Sequence, residues 1–294
     1  MHWKHLAAGQ LLVIALLPAL LSCQDAAAGI DPATLAKANA GDAAAQFLVG
    51  HEYEKGDVVP RDFAQAAVWF RKAADQGNAQ AQCSLGVLFQ RQNAGMPEDD
   101  AQAAMWLRKA ADQGLATAQY RLGLSYSQGK GVPQDDAQAA SWYQKAVLLK
   151  DPDAMVKLAQ LYARGQGVPR DEKQAFALDQ QAAELGAADG EYQLGLAYET
   201  GQGVKKDKGQ AIDWYRKAAE QGVTLAQFNL AQLLGSNHAE AYFWLSLAAP
   251  LLEGPAFAKA SVLRDDAASK LKPGEQAAVD QRVQQWHPTH PAPQ

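Results

Sequence analysis

The feature that most constrains this chain is a pattern that returns about every 36 residues. An aspartate marks each unit, and a tryptophan follows it by seven residues in all units except one, which has leucine. The aspartate–tryptophan or aspartate–leucine pairs are Asp62/Trp69, Asp99/Trp106, Asp135/Trp142, Asp171/Leu178 and Asp207/Trp214. A shortened last unit carries Trp244. Such a period indicates stacked supersecondary units, each of which buries its apolar face against the next.

Each unit predicts two helices, called helix A and helix B, with a loop between them. Helix A carries a leucine, a glycine and an aromatic residue at i, i+1 and i+4, as in Leu122, Gly123 and Tyr126, which gives one buried stripe. Helix B begins with D-x-x-Q, a capping-box spacing in which Gln reaches back to the aspartate N–H. We expect an all-α, right-handed α-solenoid of five full repeats and one shortened repeat, with the tryptophans as buried wedges.

The chain divides into five predicted segments. Residues 1–22 form a signal peptide, because the apolar run from Leu11 to Leu21 is too short to span a bilayer. A linker follows over 23–40, the repeat array over 41–250, C-terminal capping helices over 251–286 and a disordered tail over 287–294. Two cleavage sites remain open: a lipobox that would make Cys23 the lipidated first residue, and Ala26-Ala27-Ala28, which would release the protein into the periplasm.

Composition excludes several classes of function. The chain carries a net charge of −5, whereas a protein that follows nucleic-acid phosphates is basic. Its two cysteines are too few for a disulfide framework, and the histidines form no H-E-x-x-H motif. We therefore expect no metal, no cofactor and no nucleic-acid partner, and contact with a membrane only through a lipid on Cys23.

The repeat resembles the Sel-one-like repeat (SLR) family, which is related to tetratricopeptide arrays. The resemblance rests on A-Q-x-x-L-G-x-x-Y from Ala118 to Tyr126, G-x-G-V-P-x-D from Gly129 to Asp135 and A-x-x-W-Y-x-K-A from Ala139 to Ala146. It implies a non-enzymatic scaffold or adaptor in the bacterial envelope, either periplasmic or held at the outer membrane as a lipoprotein, that binds another protein. A narrower alternative is a periplasmic immunity protein that neutralises a phospholipase-type toxin of type VI secretion.

By resemblance to tetratricopeptide arrays, helix A lines a concave groove that would hold the partner. The predicted groove residues share positions next to the buried leucines: Phe47, His51, Glu54, Tyr120, Leu124, Gln160, Arg164, Tyr192, Glu199, Phe228 and Gln232. The aromatic members of this set could bind a partner or pack between repeats, and the sequence leaves both open.

Two further features of the sequence are an S-x-x-K motif that occurs twice and an irregular fourth repeat. Ser127–Lys130 and Ser269–Lys272 match S-x-x-K, the basis of a third and weaker hypothesis, a β-lactam-binding or β-lactam-hydrolysing enzyme. Repeat 4 departs from the pattern, because Leu178-Asp179 replaces Trp-Tyr or Trp-Phe and Lys150 stands where other units end in glycine. We expect this repeat to pack least well.

Overall fold

A computed structural model describes residues 29–91 and 99–286, and in these residues all regular secondary structure is helical. The all-α prediction is confirmed. The predicted signal peptide, the lipidation candidate Cys23 and the predicted tail lie outside the described residues.

The helices group into two compact units that divide between Gln134 and Asp135. The first unit contains α1 (Pro32–Asn39), α2 (Ala43–Lys55), α3 (Phe63–Asp75), α4 (Ala79–Phe89), α5 (Asp100–Asp112) and α6 (Ala116–Gln128). The second contains α7 (Asp136–Leu148), α8 (Pro152–Arg164), α9 (Glu172–Glu184), α10 (Ala188–Thr200), α11 (Lys208–Glu220), α12 (Thr224–Leu233), α13 (His238–Ala248), a 3-10 turn (Ala249–Leu251), α14 (Gly254–Ser269) and α15 (Glu275–Gln285). Within each unit, helices pack chiefly on their neighbours in sequence.

The helix pairs α2–α3, α4–α5, α6–α7, α8–α9, α10–α11 and α12–α13 are repeats 1 to 6. Part of the predicted linker 23–40 is helical, because Asp31 caps α1 through Thr34 N–H and Ala38 is fully buried. The predicted capping helices are confirmed: α14 and α15 both pack against α13.

The five aspartates at the start of helix B are N-caps. Each side chain accepts the backbone N–H three residues on, at 2.9–3.1 Å. The sequence predicted that the glutamine side chain accepts the backbone N–H of the capping aspartate. Four repeats differ from this prediction. There the cap N–H donates instead to a carbonyl at the end of helix A, for example from Asp62 to Tyr53 at 2.9 Å and from Asp207 to Tyr198 at 3.0 Å. The donor that the glutamine would satisfy is therefore already used.

In repeats 1, 2 and 5, the residue after the tryptophan forms the wedge against the glycine of helix A: Phe70, Leu107 and Tyr215. Trp106 and Trp142 are buried, but Trp69 and Trp214 are only half-buried, which corrects the expectation that all the indole rings are core. Phe70 and Tyr215, which follow the half-buried tryptophans, are fully buried. A Cβ on Gly195 of helix A would lie 2.4 Å from the Tyr215 ring, so only glycine allows this approach.

The tryptophans also contact lysine side chains of helix B. A lysine three residues later places its ammonium group over the indole ring in four repeats, at 4.0, 4.0, 3.5 and 3.7 Å from the centroid. Each contact shields one face of the ring by a cation–π interaction. Repeat 4 has Leu178 and Gln181 at these positions and makes no such contact.

Candidate partner-binding surface

In the first unit, the structure brings three of the predicted groove residues together on α2. The Phe47 ring stacks on the His51 ring with centroids 6.1 Å apart, and His51 Nδ1 lies 3.8 Å from Glu54 Oε2. The other side of Phe47 meets the core ring of Phe70 at 5.7 Å. Phe47 is therefore half-buried and fixed, while His51 is exposed. Tyr120 and Leu124, on α6, are also half-buried.

In the second unit, Tyr192 and Glu199 of α10 are joined through a residue that sequence analysis did not select. Tyr192 packs on Tyr215 with centroids 5.9 Å apart, and the Tyr215 hydroxyl donates to Glu199 Oε2 at 2.6 Å. Asn229 of α12 donates to the same hydroxyl oxygen at 3.3 Å. Burial raises the pKa of Tyr215, and burial likewise raises the pKa of Tyr192. Both phenols are neutral hydrogen-bonding groups at physiological pH.

The remaining predicted groove residues of this unit differ in their exposure. Arg164 and Gln232 are exposed and Gln160 is half-buried. Phe228 is buried with 9% of its surface accessible, and the Lys259 ammonium of α14 lies 5.4 Å from its ring centroid. Little of Phe228 is therefore available to a partner, because the C-terminal core encloses it.

Repeat 4 contains a small cavity that the sequence did not predict. It has a volume of about 50 Å³, and α8, α9, α10 and the following loop line it. Its polar lining consists of the side chains of Gln160, Glu172, Asp179, Gln193 and Gln202. One of these, Gln160, belongs to the predicted groove.

Asp179 occupies the place in repeat 4 that a wedge ring occupies in repeat 5. Only 8% of its surface is accessible, and its Oδ1 has no hydrogen-bond partner among the described residues. Burial raises the pKa of Asp179 to about 8. The sequence signal was visible in Leu178-Asp179, but it predicted poor packing and not a polar cavity.

The carboxylate of Glu240, which is not a predicted groove residue, links the C-terminal helices to the repeats. Glu240 accepts hydrogen bonds from Arg216 at 3.0 Å, Arg282 at 2.8 Å and the Trp244 indole N–H at 3.0 Å. Burial opposes the ionisation of Glu240, but the hydrogen bonds and charges of Arg282 and Arg216 outweigh it and keep its pKa below the usual value. These contacts tie α15 to repeats 5 and 6.

The groups with catalytic potential are poorly placed for chemistry. Burial raises the pKa of Cys83, which disfavours the thiolate. Ser127 lies one residue before the end of α6, and Lys130 lies beyond the left-handed Gly129, so the pair does not open a helix. Ser269 ends α14 and its hydroxyl donates to the Asp266 carbonyl at 2.7 Å. In the described ranges, no group of three or more acidic, histidine or cysteine side chains could hold a metal ion.

Comparison with known proteins identifies the repeat. The Sel1 repeat profile matches six segments that together cover well over half of the chain, at 43–78, 79–115, 116–151, 152–186, 188–223 and 224–249. No match was found among curated proteins. Among the helices of residues 29–91 and 99–286, none combines the length and apolar character needed to cross a bilayer.

Solved structures show the same fold. The structure of c5321, a protective antigen of uropathogenic Escherichia coli strains with an SLR fold, gives a TM-score of 0.71 at 30% identity over 85% of this chain. The match spans only 55% of c5321, so this chain corresponds to about half of that protein. A Sel1 repeat protein from Oxalobacter formigenes gives 0.68 at 29% identity, over 82% of this chain and 96% of that one. An immunity protein from Pseudomonas aeruginosa, Pa5087, is more distant, with 0.46 at 20% identity over 78% and 83%. The chain therefore belongs to the Sel1 repeat family.

Proposed function

We propose that this protein is a non-enzymatic scaffold of the bacterial cell envelope that binds another protein through helix A of its repeats. The observation that carries the proposal is the partial exposure and firm packing of two aromatic side chains on helix A. Phe47 and Tyr192 are each partly exposed and each rest on a fully buried core ring, Phe70 or Tyr215. Such a ring has little conformational entropy left to lose when a partner covers it.

Rigid, partly exposed aromatic side chains are the residue type that dominates the binding energy of protein interfaces. Polar groups surround both rings: His51 and Glu54 lie beside Phe47, and Glu199 and Asn229 lie near Tyr192 through Tyr215. An apolar anchor with a polar margin suits a protein surface better than a small apolar ligand.

The envelope location is a separate part of the proposal and rests on the first 28 residues. Mass spectrometry of the mature protein would distinguish the two processing sites. Mature protein that begins with an acylated Cys23 is the lipoprotein, whereas protein that begins after Ala28 is free in the periplasm.

The partner can be found by site-specific photo-crosslinking in cells. We place a photoreactive amino acid at Gln160 or Gln232, which are predicted groove positions on helix A. Matched controls carry it at Gln144 or Gln180, which are exposed glutamines on helix B. We expect the first two variants to crosslink the same protein and the controls to crosslink none.

The identified protein must then bind the purified chain, and Tyr192→Ala must weaken this binding while the chain stays folded. Equal crosslinking from both helices would contradict a helix A surface. A secreted toxin as the crosslinked protein, with its activity blocked by this chain, would establish the narrower role of an immunity protein.

A further inference from the structure

In the second unit, the cavity of repeat 4 is built around the buried carboxyl group of Asp179, whose Oδ1 has no hydrogen-bond partner among the described residues. In repeat 5 the corresponding space is filled by Tyr215, against Gly195. Repeat 4 pairs Ala159 with Asp179 instead, and the shorter side chain leaves about 50 Å³ open. The exposed fraction of Asp179 is only 8%, so its carboxyl belongs to the cavity and not to the surface.

The lining of the cavity determines the charge of a ligand. Two carboxyl groups, Asp179 and Glu172, face it together with three glutamine amides, and its lining contains no lysine, arginine or histidine. An anion would face two carboxyl groups and no cationic side chain of the lining. A metal ion lacks a sufficient set of ligands, because the described residues contain no group of three acidic, histidine or cysteine side chains that could hold one.

The size of the cavity narrows the ligand further. A cavity of about 50 Å³ has room for only a few water-sized groups. An ammonium group with part of its methylene chain fits this room, whereas the wide planar fork of a guanidinium does not. The three N–H donors of an ammonium match the acceptors present, which are Asp179 and the glutamine side-chain oxygens.

We propose that the cavity of repeat 4 binds a primary ammonium group, supplied by a lysine side chain of the partner protein. The identity of the donor as a partner lysine rests on the proposed function, but the site itself does not. Gln160 lines the cavity and is half-buried on helix A, so a partner lying on helix A has its lysine next to the opening. The buried carboxyl would thus give the groove a preference for one charged residue.

Binding must depend on pH, because only the ionised carboxylate attracts the cation. The pKa of Asp179 is raised to about 8 by burial, so affinity rises about tenfold per pH unit below 8 and levels off above it. Glu172, the other titratable group that faces the cavity from α9, forms an ion pair with Arg170. The linings from α8 and α10 consist of glutamines and alanines, and the loop after α10 adds Gln202.

The test uses methylammonium chloride as the probe and the full chain with carbon-13-labelled aspartate. At pH 8.5 the probe remains a cation, and the NMR signal of the Asp179 carboxyl should respond with a dissociation constant on the order of 10 mM. At a saturating concentration, the titration midpoint of this carboxyl should move down by at least one pH unit. Sodium chloride at equal concentration should cause neither effect, and tetramethylammonium, which is too large, should not bind.

Two variants complete the test. Asp179→Asn keeps the shape of the side chain and should weaken methylammonium binding at least tenfold, measured on the Gln160 and Gln193 amide signals. Asp189→Asn, at an exposed position of α10, should bind like the wild-type chain. Equal responses to methylammonium and tetramethylammonium, equal binding by Asp179→Asn, or a cavity that holds only water at 100 mM probe would overturn the proposal.

The two proposals can fail separately. Crosslinking to a partner without methylammonium binding would overturn the ammonium site and leave the helix A surface intact. Methylammonium binding without any partner on helix A would uphold the site and overturn its assignment to a partner lysine.

Discussion

Repeats 4 and 5 are consecutive in the second unit, but they place different side chains at the equivalent position between helix A and helix B. Repeat 5 sets Gly195 against the fully buried ring of Tyr215, whose hydroxyl is satisfied by Glu199. Repeat 4 sets Ala159 against Asp179, whose Oδ1 has no hydrogen-bond partner in the described residues. The comparison shows that the stack tolerates the loss of a wedge ring, and that a lost ring leaves a polar space that could serve binding.

The largest expected effect comes from removing the Tyr215 ring of repeat 5, which has no counterpart in repeat 4. Tyr215→Ala should lower the free energy of unfolding by about 3–5 kcal/mol, because it empties the fully buried wedge and leaves Glu199 without its donor. Urea denaturation followed by circular dichroism measures this. A loss below about 1 kcal/mol would show that the ring is not the wedge of repeat 5.

The reverse change in repeat 4 should be stabilising. Asp179→Leu copies repeat 6, where Ala231 stands on helix A and Leu245 is buried at the wedge position. We expect a gain of about 2–3 kcal/mol at pH 7, because an apolar side chain replaces a buried carboxyl and fills the cavity. Asp179→Tyr is the contrasting variant: the extra Cβ of Ala159 leaves less room for a ring, so it should gain less.

The stability of the chain should depend on pH through Asp179. Its folded pKa of about 8 lies above the unfolded value near 3.8, so between these pH values the folded chain holds a proton that the unfolded chain has lost. Stability therefore falls as the pH rises from about 4 to about 8, and this contribution is constant above pH 8. Denaturation at several pH values should show a smaller slope for Asp179→Asn than for wild type.

Repeat 4 should also open more often than repeat 5. Its helix B has neither a wedge ring nor the lysine–tryptophan contact that Trp214 and Lys217 make at 3.7 Å. Hydrogen exchange of the amides in Pro152–Leu185 should be about tenfold faster than in 188–220. Equal protection of the two repeats would show that the cavity has no effect on local stability.

The smallest expected effect is at the entry to repeat 4. Lys150 has a φ of 62°, a left-handed conformation that glycine adopts at the matching turns before repeats 2, 3, 5 and 6. Lys150→Gly should raise the free energy of unfolding by about 0.5–1 kcal/mol, since it removes the strain of a side chain at positive φ. Lys145→Gly, inside α7, is the control and should destabilise the chain.

The sequence predicted the repeated helix pairs well because their signals are local. The Asp caps, the turn glycines and the apolar spacing each act within a few residues, so all of them could be recognised in one chain. The wedge was assigned one residue too early, to Trp69 and Trp214, since the spacing alone does not show which of two adjacent aromatic residues faces helix A. Phe47 and Tyr192 were correctly placed on helix A, but their packing on core rings could not be foreseen.

The sequence by itself determined the fold class, the number of repeats and the position of the irregular repeat 4. Only the tertiary structure decided what that irregularity means. Whether the carboxyl group of Asp179 is solvated or buried depends on how closely α8 and α10 pack against α9. The side chain of Ala159 on α8 limits this approach. Its burial, its missing hydrogen-bond partner and the cavity beside it are therefore properties of the packing of α8, α9 and α10, and no local pattern contains them.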